Sequence, residues 1–316
     1  MKRLFFGLLF TAVLAVFVAA WMYSVAKPAS DDKNFRSFVI EKGTSASGVG
    51  DKLEKAGLIK NSLAFKLYLQ FTGQSGKLQA GEFRLSPSMS LFQIVESLFK
   101  GPVELWVTIP EGLRREEIAA KFASGLDRDQ VFIDEFLLAS KGSEGALLPD
   151  TYLFQKDASA SAIVAKMIKT FKSKTADLGG NEELTNDQRI VLASLIERET
   201  KTAAERPIVA GIIIKRFKAG WPLQIDASVQ YAVGTAKNWW QILTLEDLKI
   251  DSRYNSYKFS GLPPTPIANP GMSSISAAFA PEASDYWYYI HDSDGRIHYA
   301  ETLDGHNSNI RKYLSR

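Results

Sequence analysis

The chain contains no cysteine and only three histidines in 316 residues. The missing thiols exclude thiolate zinc sites, iron–sulfur clusters, cysteine nucleophiles and disulfide frameworks together, and suit an extracytoplasmic protein. His291, His298 and His306 stand seven and eight residues apart, without the i, i+4 pairing of a helical metal site, so no metal is expected. No phosphate-cradling glycine loop is present, so no nucleotide or other cofactor is expected. An excess of charge is lacking too. The 38 basic and 35 acidic side chains leave +3, spread along the chain rather than gathered in an arm, which argues against nucleic acid as a partner. What is there is 46% hydrophobic and 23% charged, enough for two modest domains and too apolar for disorder throughout.

Lys2 and Arg3 precede an uncharged run from Leu4 to Ala26 that ends at Lys27-Pro28. As a helix this run spans roughly 34 Å, enough for a bilayer core of about 30 Å. It is longer than the apolar stretch of a cleavable signal, and Trp21 and Tyr23 sit where an interface is expected. The expectation is an uncleaved single-pass membrane anchor with the basic end inside and the rest of the chain outside. The alternative is a signal cleaved near Ala19-Ala20.

A pattern then recurs. Ile40, Gly43, Val49 and Leu53 occupy offsets 0, 3, 9 and 13, as do Ile109, Gly112, Ile118 and Phe122; Leu85, Ser88, Ile94 and Leu98 repeat them with serine for glycine. Each copy predicts a short strand, a tight turn and an amphipathic helix. By pattern, residues 38–105 resemble a LysM-type carbohydrate-binding module.

Farther on, Ile163, Met167 and Phe171 predict a helix within 157–174, broken at Gly179-Gly180-Asn181. Thr185 and Gln188 form a capping box for a helix that continues as an almost unbroken apolar run to Glu197-Arg198-Glu199-Thr200. Another helix opens at Glu205-Arg206-Pro207 and stops at Gly220. Trp239-Trp240, beside Ile242 and Leu245, read as core anchors, and Tyr286–Ile290 alternate like a half-buried strand.

A carboxyl at the end of so apolar a helix is expected to sit partly out of water, which raises its pKa toward that of a general acid. Residues i and i+2 face away from each other, so Glu197 and Glu199 cannot act as a facing acid and base. Glu197 falls on the face of Ile190 and Ala193; Glu199 follows Leu192 and Ile196 or frays into solvent. Taken alone, such a Glu-x-Glu is more often a salt-bridging pair than a catalytic site.

The Leu195–Thr200 helix end, Leu-Gln-x-Asp at 223–226, Tyr-Asn-x-Tyr at 254–257, Gly261-Leu262-Pro263-Pro264 and Asn269-Pro270-Gly271 together resemble the YceG-like (MltG) family of endolytic murein transglycosylases. Pro110-Glu111-Gly112, Glu144-Gly145, Pro149–Tyr152 and His306-Asn307 add to the likeness. The chain departs from the pattern at Ala227-Ser228, where Pro-Thr is usual, and at Arg198, where Lys is common. The resemblance implies an α+β protein in four parts: cytoplasmic N-terminus and transmembrane helix, 1–27; linker, 28–37; small LysM-like module, 38–107; and a mixed α+β catalytic domain, 108–316.

It further implies cleavage of the MurNAc–GlcNAc β-1,4 bond in nascent peptidoglycan strands, leaving 1,6-anhydroMurNAc ends. The catalytic glutamate is carried onto Glu197, and Gln224, Asp226, Tyr254, Asn255, Tyr257, Glu144 and Asp150 become candidate substrate-binding residues. One carboxyl suffices for this chemistry: the acid protonates the leaving oxygen, then takes the proton of the attacking C6 hydroxyl. The implied location is the inner membrane, with the catalytic domain outside. Penicillin-binding proteins and elongation or division complexes are the implied protein partners. Two other readings stay open: a muramidase using water, for which Asp226 or Asp150 would be the second carboxylate, and a non-catalytic wall-binding scaffold.

Overall fold

The computed structural model describes residues 13, 16–101, 104–180 and 184–314. No helix among them is long and apolar enough to cross a membrane. Of the expected anchor, residues 1–12, 14 and 15 lie outside the described residues. The fold is mixed α+β and separates into two compact units, Met1–Val107 with Tyr152–Ala158, and Thr108–Thr151 with Ser159–Arg316.

The first unit is built on strands β1 (Arg36–Ile40), β2 (Gly81–Leu85), β3 (Glu104–Thr108) and β4 (Thr151–Gln155), which lie side by side in that order. Strands β1 and β2 are antiparallel, with Phe38 opposite Phe83. Alternation turns Phe38, Ile40, Phe83 and Leu85 inward, against helices α1 (Ala46–Lys55), α2 (Ser62–Phe71) and α3 (Leu91–Lys100). Residues 16–25 are helical and lead into this core: Ala26 is buried, and its carbonyl accepts the Leu91 N–H at 2.9 Å.

All three strand-turn-helix copies form as the periodicity predicts, and every apolar residue that defines them is buried. Helix α4 (Arg115–Gly125) completes the third. The turns differ where the sequence differs. Gly43 and Gly112 adopt left-handed φ of +86° and +78°, whereas Ser88 is not among the left-handed residues, because a Cβ makes that region costly.

The second unit continues through α5 (Gln130–Ala139), α6 (Ala160–Thr175), α7 (Asn186–Glu199), α8 (Arg206–Lys218), α9 (Asp226–Val233), α10 (Met272–Phe279), the antiparallel hairpin β5 (Tyr288–His291) and β6 (Ile297–Ala300), and α11 (Leu303–Tyr313). Helix α7 is its axis. The capping box forms as predicted, with Thr185 Oγ1 accepting from the Gln188 N–H and Gln188 Oε1 from the Thr185 N–H. Its apolar run is nearly continuous because Val191 to Ile196 are buried on every side, between α8 and α10, rather than along one stripe. Arg189 is buried there as well, with its guanidinium donating to the Ala278 carbonyl at 2.9 Å.

Candidate active site

Helix α7 reaches Glu199 before Thr200 caps it through an N–H bond to Ile196 O, so Glu199 does not fray. The two glutamates at its end meet different surroundings. Glu197 has both oxygens occupied: Oε1 accepts from Arg206 at 3.2 Å and Oε2 from the Gly271 N–H at 2.9 Å. Arg206 also reaches Glu111 at 3.5 Å, and the Glu197 side chain is only 6% exposed. These contacts join α7, α8 and the loops at 111 and 271.

Glu199 is recessed rather than covered. It remains partly accessible, yet burial is the leading cause that raises its pKa above the ordinary carboxyl value. Tyr289 donates to its Oε2 at 2.7 Å, which works the other way, while the negative charge of Asp226 adds to the rise. Among the described residues no second protein donor bonds this carboxyl. The Tyr289 hydroxyl in turn keeps its proton, first because it is buried and then because Glu199 stands beside it.

Asp226 opens α9 and is exposed; Tyr257 donates to its Oδ1 at 2.5 Å. Gln224, also exposed, has a left-handed φ of +55°, a strained state for a residue with a Cβ. The strain is held by backbone bonds. Gln224 N–H donates to Ser256 O, and Ser256 Oγ accepts both the Ile225 N–H and the Ser228 hydroxyl. Ser228, at a departure from the family pattern, thus carries part of the turn. Arg216 fixes the same turn from below: it donates to Leu223 O at 2.8 Å and twice to Trp287 O, two residues before Tyr289.

The remaining expected site residues divide. Tyr254 stacks near Tyr231, ring centroids 4.9 Å apart, and its hydroxyl meets Thr265 Oγ1 at 2.6 Å. Asn255 is fully buried; its amide hydrogens go to Leu248 O and Ile250 O and its oxygen accepts from the Tyr257 N–H, so it shapes the loop that presents Tyr254 and Tyr257. Glu144 forms a separate, half-buried centre. It accepts from Asn269 Nδ2 at 2.6 Å, the Arg115 N–H at 3.1 Å and the Tyr231 hydroxyl at 3.4 Å. Burial, then the nearby Glu116 charge, push its pKa up to about 8. Asp150 stays on an exposed turn and accepts from the Thr151 N–H.

Trp240 packs against the hydrophobic core of the second unit, as expected. Trp239 and Trp240 are half-buried and lie under the guanidinium groups of Arg114 and Arg198, at 4.5 and 3.8 Å, while Ile242 and Leu245 are 94% and 79% exposed. Trp240 also donates its indole N–H to Glu117. The strand expected at 286–290 forms as β5 at Tyr288–His291. What sequence reading missed was Tyr289, taken only as a strand residue. Its alternation gave a face but no partner, since nothing local links it to a helix 90 residues earlier.

A sequence model of the YceG-like family matches residues 38–312. The chain is 34% identical over 320 residues to the endolytic murein transglycosylase of Bacillus subtilis strain 168, covering 90% of this chain and 86% of that protein. It is 28% identical to the endolytic murein transglycosylase of Streptococcus pneumoniae D39, of which it spans 60%. A crystal structure of a yceG-like protein from Listeria monocytogenes superposes with a TM-score of 0.55 at 30% identity, over 87% of this chain and 99% of the other. Motifs, fold and similarity thus run together along most of its length, and the chain belongs to the YceG-like family.

Proposed function

We propose that this protein is an endolytic murein transglycosylase that cuts the MurNAc–GlcNAc β-1,4 bond inside glycan strands and leaves 1,6-anhydroMurNAc ends. The observation that carries this reading is the setting of Glu199: partly accessible, with its pKa raised first by burial, and oriented by a hydrogen bond from Tyr289. A general acid needs all three. Sequence reading placed the acid at Glu197, whose two oxygens are instead committed to Arg206 and Gly271. The geometry supports Glu199 in that role and Glu197 as the carboxylate that holds the site together.

In the proposed step, Glu199 gives its proton to the glycosidic oxygen as the C1–O bond breaks. The carboxylate left behind takes the proton of the C6 hydroxyl, whose oxygen bonds to C1 and closes the anhydro ring. The acid ends protonated again, and no water enters. Asp226 and Tyr257 lie within electrostatic reach of Glu199, and together with Gln224 and Tyr254 they would supply contacts for hydroxyl and acetamido groups. The relatives' names support murein as the substrate.

The finer organisation belongs to the same proposal: a single-pass inner-membrane anchor within 1–27, a linker at 28–37, a LysM-like module at 38–107 and a catalytic domain at 108–316 lying outside the membrane. Penicillin-binding proteins or elongation and division complexes would be its neighbours there.

Mass spectrometry of the products from uncrosslinked strands tests the reaction. Anhydro ends are expected from the unmodified chain and a loss of about 10²–10⁴-fold with Glu199→Gln. Reducing ends in place of anhydro ends would mean a muramidase, with Asp226 as the second carboxylate. Glycan binding without products would leave the scaffold reading. Turnover that survives Glu199→Gln but not Glu197→Gln would return the acid to Glu197.

A further inference from the structure

Between Glu199 and helix α8 the chain makes a short turn, residues 200–205, to which the reaction above assigns no part. The turn ends on Glu205, which is only 7% exposed. Glu205 stands at the N-cap of α8, where a side-chain acceptor ordinarily takes one of the first helical N–H groups, yet its carboxyl makes no such bond. It is directed elsewhere. Oε1 accepts from the Thr202 hydroxyl at 2.8 Å, and Oε2 accepts the Lys201 N–H at 3.0 Å and lies 3.1 Å from His291 Nε2. Burial by itself would raise the Glu205 pKa, but Lys201, His291 and Thr202 together hold it below the ordinary carboxyl value. A carboxylate only accepts, so Nε2 of His291 carries the proton and donates.

Two of these donors are local, while the third comes from β5, 86 residues farther along the chain. Alternation puts His291 on the same face of β5 as Tyr289. Tyr289 is thus flanked by two ties to α8 and its cap: Arg216 holds the Trp287 carbonyl two residues before it, and Glu205 holds the His291 ring two residues after it. The hairpin also rests on the turn at Gly295, where an added Cβ would come 3.1 Å from Lys201 Nζ. A strand tied on one side alone can pivot; tied on both, it fixes the Tyr289 hydroxyl against Glu199.

We propose that Glu205 and His291 are a positioning pair, which holds Tyr289 in place and through it orients the acid at Glu199. The proposal rests on Glu199 being that acid. Neither member of the pair bonds Glu199 directly; their effect passes through the strand. A buried carboxylate is a costly way to join a turn to a strand for stability alone, whereas three directed hydrogen bonds define where the strand lies.

The test follows anhydro-product formation from uncrosslinked strands by the full chain. His291→Leu is expected to lower kcat about tenfold and leave KM unchanged, the pattern of lost orientation rather than lost binding. His291→Gln, whose amide N–H can still donate to Glu205, should recover most of that rate. Because the pair acts through Tyr289, adding His291→Leu to Tyr289→Phe should cost less than about twofold more. Glu205→Gln, which nearly keeps the side-chain shape, gives a second route to the same loss and the same coupling if His291→Leu fails to fold. An unchanged kcat, a loss that His291→Gln does not recover, or losses that multiply with that of Tyr289→Phe overturn the pair. Failure of the acid assignment shows separately, as turnover that survives Glu199→Gln.

Discussion

The hydroxyl of Tyr289 lies 2.7 Å from the carboxyl of Glu199 and donates to it, joining the end of helix α7 to a strand of the C-terminal hairpin. This bond favours the charged form of Glu199, against burial and the Asp226 charge, which favour the neutral form. The acid is therefore adjusted by two neighbours of opposite sign.

The first prediction follows from those signs. Tyr289→Phe removes the donor, so the Glu199 pKa rises further and the alkaline limb of the pH–rate profile moves up, with about tenfold lower turnover from lost orientation. Asp226→Asn removes a negative charge and moves the same limb down. The two profiles, measured on one strand substrate, should shift in opposite directions; a shared direction would mean that Glu199 is not the titrating acid.

Gln224 gives the second. Its left-handed backbone costs about 1–2 kcal/mol that glycine does not incur, offset by roughly 0.5–1 kcal/mol of extra chain entropy in the unfolded state. Gln224→Gly is therefore expected to match or exceed the parent in denaturant midpoint while losing strand affinity. Denaturation and binding measured together check this, and a less stable variant would refute the account of strain.

Glu144 concerns stability against pH. Its pKa rises from 4.5 unfolded to about 8 folded, so the folded protein holds the proton more tightly. The associated stability is fully present below pH 4.5 and is lost as pH rises toward 8, by at most about 5 kcal/mol. Glu144→Gln keeps the group neutral, and melting curves between pH 5 and 8 should be flatter than the parent's.

Gly271 is a steric matter. A Cβ there would lie 1.8 Å from Glu111 Oε1, while the Gly271 N–H already holds Glu197. Gly271→Ala should displace Glu111 and cost about 1–3 kcal/mol, read from denaturant unfolding.

Much of this was legible in the chain. The repeated offsets gave three strand-turn-helix units, because burial imposes a spacing that any apolar residue can fill. Capping chemistry gave the start of α7, since Thr185 and Gln188 act within a single turn. The site was legible as a set of motifs, but not in its division of labour. Glu197 and Glu199 differ through Arg206, Gly271 and Tyr289, and the last two come from loops and strands far along the chain. Asn255 became a candidate sugar contact through the Tyr-Asn-x-Tyr motif, and only the fold shows its amide spent on two carbonyls. Strand β4 likewise joins the first sheet from beyond two helices, a pairing with no local signature.

The Tyr289–Glu199 bond also sets an order of events during synthesis. Ninety residues separate donor from acceptor, so a growing chain completes α7 well before the strand that orients its acid has emerged. Until then the carboxyl lacks its donor, and Arg216 has no Trp287 carbonyl to grip. On the proposed assignment of Glu199, a chain ended before its last hairpin is expected to leave murein uncut, and competence to follow only when that hairpin has closed.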